Sequence, residues 1–120
     1  MQNQKSALGL DGNITVLIGY VIGVVALILI FIEKDNKFVR FHSFQSIFYH
    51  VGFFAVYFVL AISIGILSQI SSIFGFLGLI LIPLWFLWLA GMIYAAYKGF
   101  QGSMFKLPIV GNIAESMSNK

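Results

Sequence analysis

EKDNKFVRFHSFQSIF, residues 33–48, holds nearly half of the chain's charges and lies between two long apolar runs. A charged turn flanked by aromatic residues in that setting belongs at a membrane surface. Across 120 residues, 60% are hydrophobic and 9% charged, and the mean hydropathy is +0.98, so the sequence is written for lipid as its solvent. The expected fold is all-α, a polytopic membrane helical bundle forming one integral membrane domain over residues 1–120.

Residues 14–32, ITVLIGYVIGVVALILIFI, carry no charge. At 1.5 Å per residue they make a helix of about 28 Å, close to the roughly 30 Å hydrocarbon core. Two further spans are expected at about 47–67 and 73–97, separated by the uncharged polar turn SQISS at 68–72. Pro83 inside the third run predicts a bend, because neighbouring helices can satisfy the carbonyl it frees. A cleaved signal peptide is disfavoured for the first run: a polar stretch, MQNQKSALGLDGN, precedes it, its core is too long, and no small-x-small cleavage site follows. Lys34, Lys37 and Arg40 follow span one, and Lys98, Lys106 and Lys120 follow span three, whereas Lys5 stands alone before span one. With three spans, the positive-inside rule places the first loop and the C-terminus in the cytoplasm of a cell or inner membrane and the N-terminus outside.

Small residues four apart allow close helix approach in lipid. Gly19 and Gly23, Ala61 and Gly65, and Gly91, Ala95 and Gly99 supply that spacing on spans one, two and three. They predict bundling within the chain or self-association. Tyr94 and Tyr97 fit an interfacial belt; Trp85 and Trp88 lie deeper and pack in the bundle or against lipid.

Glu33, Lys34, Asp35, Asn36 and Lys37 form a solvated connection, and Phe38 to Phe48 start the second helix as an interfacial ramp. With 100° per residue, Gln45, Ser46 and Tyr49 fall within about 60° of His42, giving the ramp one polar face. That face either snorkels toward headgroups and neighbouring backbone or receives a peptide or partner helix, with Arg40 and His42 as donors. His42 and His50 lie about 12 Å apart along a helix and cannot share one zinc ion within the chain. His50 reads as an intramembrane hydrogen-bonding residue. No nucleophile elbow, phosphate-cradling glycine loop or carboxylate pair is present, and cysteine is absent. The chain is therefore expected not to be an enzyme, to need no cofactor or metal, and to bind lipids and membrane proteins, its own copies included, but not nucleic acid.

The segment EKDNKFVRFHSFQS after the first run and the tail YKGFQGSMFKLPIVGNIAE strongly resemble the small bacterial and archaeal membrane proteins grouped with the protein-import (TIC) component of the chloroplast inner envelope. The matching positions are Glu33, Lys34, Phe38, Arg40, Phe41, His42, Gln45, Ser46, Gly99, Leu107, Pro108, Gly111 and Glu115. The resemblance implies a cofactor-free membrane protein. Plastid members suggest protein translocation, and magnetosome-membrane members of the same broad group suggest a self-assembling organiser of a specialised membrane. Together with Tyr49 and Lys106, the matched polar residues and the Pro108–Gly111 step form the expected interaction surface. A short interfacial tail segment packed under the first loop would bring Glu115 near Lys34, Lys37 or Arg40. The functions expected are an interaction or assembly component linked to translocation, a membrane organiser, or a small oligomeric channel lined by His50, Ser63 and Ser68.

Overall fold

The structure, a computed structural model, describes residues 4–120, and its secondary structure is helical. The elements are α1 (Gly12–Val21), α2 (Gly23–Ile32), α3 (Lys37–Ile70), a 3₁₀ segment (Ser72–Ile80), α4 (Leu81–Phe100) and α5 (Val110–Ser118). Two continuous helical stretches, Lys37–Ile70 and Ser72–Phe100, are long and apolar enough to cross a membrane.

The first apolar run is not one helix. Ile22 takes an extended conformation (φ −116°, ψ 92°) and separates two ten-residue helices. These fold back on one another: Ala7 N donates to Glu33 Oε1 at 2.8 Å, and Asn36 Nδ2 donates to the Gln4 carbonyl at 3.1 Å. The expected single helix over 14–32 is thus replaced by a hairpin. The N-terminal segment lies against the first loop instead of at the opposite end of the bundle. Gly19 lies at this contact, where a Cβ would sit at an ordinary van der Waals distance, 3.7 Å, from Ala26 Cβ. Of the Gly19/Gly23 step, Gly19 thus faces α2 inside the hairpin and Gly23 faces the ring of His50 on α3.

Breaking a helix in an apolar setting strands the carbonyls of its last turn. Here α3 collects them. Ser46 Oγ donates to the Gly19 carbonyl at 2.8 Å and His50 Nε2 to the Tyr20 carbonyl at 2.9 Å, while Ile22 N–H takes the Ile18 carbonyl. Ser46 and His50 are four apart on α3 and so share a face.

Helix α3 starts at Asn36, whose side chain accepts from Val39 N, and runs unbroken for 34 residues. Its first turns are no interfacial ramp. Every residue from Phe38 to Ser46 is buried, enclosed by the hairpin, the end of α4 and the tail. Beyond residue 50 the helix runs beside the 3₁₀ segment and α4, with the tail turn near Gly52 and Phe53, and Phe58, Val59, Ile62 and Ile66 are each 60% exposed or more. Ala61 is half-buried, but a Cβ on Gly65 would meet nothing, so the expected packing step at Ala61/Gly65 is open on this molecule.

Ser71 alone breaks the chain between the two long stretches. Pro83 produces no separate end: it is the third residue of α4, and the helical stretch runs through it to Phe100. At the other end of α4, Ser103 N–H bonds to the Lys98 carbonyl and Gly102 N–H to the Gly99 carbonyl. This is a Schellman cap, and Gly102 supplies its left-handed residue at φ 88°. Gly91 and Gly99 face Tyr49 and Val16 so closely that a Cβ on either would collide. Ala95 is 1% exposed between them, so this stripe of α4 packs as its sequence spacing suggests.

Candidate functional site

The polar face expected on α3 exists, and the chain itself occupies it. Residues 103–107 cross α3 as an extended strap. His42 Nε2 donates to the Ser103 carbonyl (2.8 Å), Gln45 Nε2 donates to the Phe105 carbonyl (2.9 Å), and Leu107 N–H donates to Gln45 Oε1 (2.8 Å). The contacts fall on alternate residues because an extended chain presents the same edge every second residue. A peptide is received at this face, and it is the protein's own tail.

The hydrogen positions follow from the partners. A carbonyl can only accept, so His42 carries its proton on Nε2, and its Nδ1 accepts from the Tyr20 hydroxyl at 2.6 Å. Tyr20 in turn accepts from Gln45 Nε2 at 2.8 Å. By the same argument His50 is protonated on Nε2, and its Nδ1 accepts from Trp88 Nε1 at 3.1 Å. Tyr49, half-buried on the same face, donates to the Trp88 carbonyl at 2.6 Å. Rings of Tyr20, Phe38 and Phe41 stand edge-on around His42 at 4.7–5.5 Å. The α3 residues 42, 45, 46, 49 and 50 thus fasten the strap, the hairpin and α4.

A second cluster fastens the basic end. Glu33, 3% exposed, accepts from Ala7 N and from Asn36 N (3.3 Å). Arg40, 9% exposed, donates from Nη1 to the Glu33 carbonyl (2.7 Å) and from Nε to the Ser118 carbonyl (3.3 Å), its guanidinium over the Phe44 ring. Lys37 Nζ also reaches the Ser118 carbonyl, at 3.5 Å. Two cations thus meet the negative C-terminal end of α5. The tail does pack beneath the first loop, but not through Glu115. That carboxylate pairs with Lys106 at 2.9 Å on the surface instead of with Lys34, Lys37 or Arg40.

The remaining tail residues have local roles. Leu107 and Ala114 are buried; Lys34 and Pro108 are exposed. Val110 N–H bonds to the Pro108 carbonyl across Ile109, which sits at φ 69°, ψ −62° in a strained γ-turn. Gly111 lies against the Lys106 backbone and Gln45 Oε1, with no room for a Cβ. Beside this turn lies an almost wholly apolar groove of about 590 Å³, lined by Tyr49, Gly52, Phe53, Leu87, Gly91 and Pro108 among others.

Sequence reasoning found the α3 side of this network but missed Tyr20 and the strap carbonyls of Ser103 and Phe105. Tyr20 lies inside an apolar run with no periodic polar partner, and backbone acceptors leave no signature in side-chain type. Gln45 is 0% exposed, its side chain enclosed between the strap and Tyr20. Among the described residues, no group of three or more His, Asp or Glu side chains is placed to hold a metal ion. No buried side-chain N or O atom among them lacks a hydrogen-bond partner.

A UPF0132 membrane protein of Methanocaldococcus jannaschii is 39% identical over 116 residues, covering 95% of this chain and 94% of that protein. A second UPF0132 membrane protein of the same organism is 32% identical over 115 residues, covering 91% of this chain and 71% of that protein. A UPF0132 membrane protein of Archaeoglobus fulgidus is 31% identical over 109 residues, covering 87% of this chain and 88% of that protein. No solved structure matches the chain. The model of the magnetosome magnetite crystal formation protein family matches residues 5–114, which takes in the hairpin, both long helical stretches, the strap and most of α5, and the chain belongs to that family.

Proposed function

We propose that this protein is a non-catalytic, multi-pass organiser of a specialised membrane, which crosses the bilayer twice and dips into it once. Helix α3, at about 51 Å, exceeds the 40–45 Å of a whole bilayer including headgroups and so crosses with a tilt. Helices α1 and α2, at about 15 Å each, reach only to mid-bilayer and return. All seven Lys and Arg residues (Lys5, Lys34, Lys37, Arg40, Lys98, Lys106 and Lys120) then lie at one end. The positive-inside rule puts that end, with the N-terminal segment, first loop and C-terminus, in the cytoplasm. This replaces the external N-terminus expected from three crossings.

The observation that carries the reading is internal saturation. Each side chain expected to do chemistry or to receive a partner on the α3 face is engaged within the chain, so the surfaces left to act outward are the apolar faces of the long helices and the basic end. Those surfaces serve lipid and other copies of the chain. Translocation loses its main sequence argument, because the face assigned to clients is filled by the strap. A channel lined by His50, Ser63 and Ser68 fares no better: His50 has both nitrogens bonded, and Ser68 Oγ bonds to the Gly65 carbonyl.

Site-specific photocrosslinking in cells from Phe58 and Phe76, 60% and 72% exposed, tests the reading. A ladder of self-crosslinks is the expected result. Heterogeneous secretory chains, or a single unrelated membrane protein in stoichiometric yield, would contradict it.

A further inference from the structure

The two ends of the molecule differ in bulk. At the basic end stand four helices, α1, α2, the start of α3 and the end of α4, with α5 packed against α3. At the other end, among the described residues, stand only the rest of α3 and the 3₁₀ segment leading into α4. The long axis is 56 Å against 24 and 21 Å for the other two, so the asymmetry runs along the direction of crossing.

The extra elements are built to sit in lipid at that one level. The inner face of the hairpin is Gly19, Ala26 and Leu29, all buried. Its outer face presents Val24, Leu27, Ile28 and Phe31, exposed by 45–68%, at the spacing of one helical side. A ten-residue arm spans about 15 Å, the depth of one leaflet. Ile109 and Ile113, 80% and 47% exposed, add apolar side chains at the rim of the same end, beside the surface pair Lys106–Glu115. Hydrogen bonds donated by Ser46 and His50, and the one Glu33 accepts from Ala7 N–H, hold the hairpin closed and against α3, so it cannot straighten to span both leaflets without losing them.

We infer that the protein is a membrane wedge whose partner is a strongly curved bilayer: it occupies more area in the leaflet holding its basic end than in the other, and it favours bending with that leaflet on the convex side. The excess is about two helix cross-sections, on the order of 80 Å² each for a 10 Å cylinder. The inference rests on the two-crossing reading proposed above, and it adds a direction to it.

The unmodified protein carries its own assay. Because every Lys and Arg lies at the basic end, trypsin added outside a vesicle digests only copies whose basic end faces out. The protein is reconstituted into phosphatidylcholine/phosphatidylglycerol vesicles of about 30 nm and about 200 nm diameter, sizes between which packing in the outer leaflet differs sharply. The expected result is a near-even orientation in the large vesicles and about a threefold outward excess in the small ones. An equal digested fraction at both sizes overturns the wedge. The underlying topology is read separately with Leu8→Cys and Lys120→Cys, each the sole cysteine of its chain, and a membrane-impermeant maleimide. Equal labelling of the two variants keeps the two-crossing reading whatever the trypsin result. Complementary labelling overturns that reading and the wedge with it.

Discussion

His50 Nε2 donates to the carbonyl of Tyr20 at 2.9 Å, thirty residues earlier in the chain, and one helical turn before it Ser46 Oγ holds the Gly19 carbonyl at 2.8 Å. Two adjacent carbonyls released by the break at Ile22 are thus answered by two adjacent positions on one face of α3. A helix break in lipid is tolerated only when the freed backbone groups find partners, so these bonds make the hairpin possible.

Ser46→Ala leaves the Gly19 carbonyl buried and unpaired, and is expected to cost about 1–3 kcal/mol. His50→Phe keeps an aromatic ring but removes the donor to Tyr20 and the acceptor for Trp88, and is expected to cost more. Unfolding by SDS titration in mixed micelles measures both. Because the two residues serve one hairpin, the double variant should show a coupling of at least about 0.5 kcal/mol.

How much of this was readable beforehand divides by type of partner. The grouping of His42, Gln45, Ser46 and Tyr49 on one face followed from helical spacing, as did the close approach at Gly91, Ala95 and Gly99. The break at Ile22 did not. Residues 14–32 are apolar throughout, a run that suits one span as well as a hairpin, and the groups that stabilise the break lie on another element. The strap was hidden for a related reason: its contacts are backbone carbonyls and one N–H. Glu115 was placed in the right region and given the wrong partner: Lys37 and Arg40 are taken up by the Ser118 carbonyl, and Glu115 pairs with Lys106.

Gln45→Leu keeps the approximate size of the side chain while stripping its bonds to Tyr20, Phe105 and Leu107. The strap should loosen without global unfolding, at a cost of about 2–4 kcal/mol for the two bonds to its backbone and the groups left unpaired. Limited trypsin digestion in detergent reads this directly, as faster cleavage after Lys106. Unchanged cleavage would mean that the strap is held by packing alone.

The glycines separate contact from sequence pattern. Gly99→Ala drives a Cβ into Val16, and Gly111→Ala drives one into the Lys106 backbone. Overpacking of this kind is expected to cost about 1–3 kcal/mol. Gly65→Ala meets open space and should be neutral or stabilising by up to about 1 kcal/mol in its helix, unless a second copy packs there. Thermal unfolding in detergent, repeated over a range of protein-to-detergent ratios, distinguishes the cases: a Gly65→Ala loss that appears only at high protein ratio would mark a contact between copies.

The claim on which all else rests is that the first apolar run turns back. Leu8→Cys, Ile73→Cys and Lys120→Cys are placed singly in a chain that has no cysteine of its own, and intact cells are treated with a membrane-impermeant maleimide before and after permeabilisation. Residues 8 and 120 should both be protected until the membrane is opened, while residue 73, 65% exposed at the far end, labels at once. Labelling of residue 8 in intact cells with residue 120 still protected would restore three crossings and contradict the hairpin.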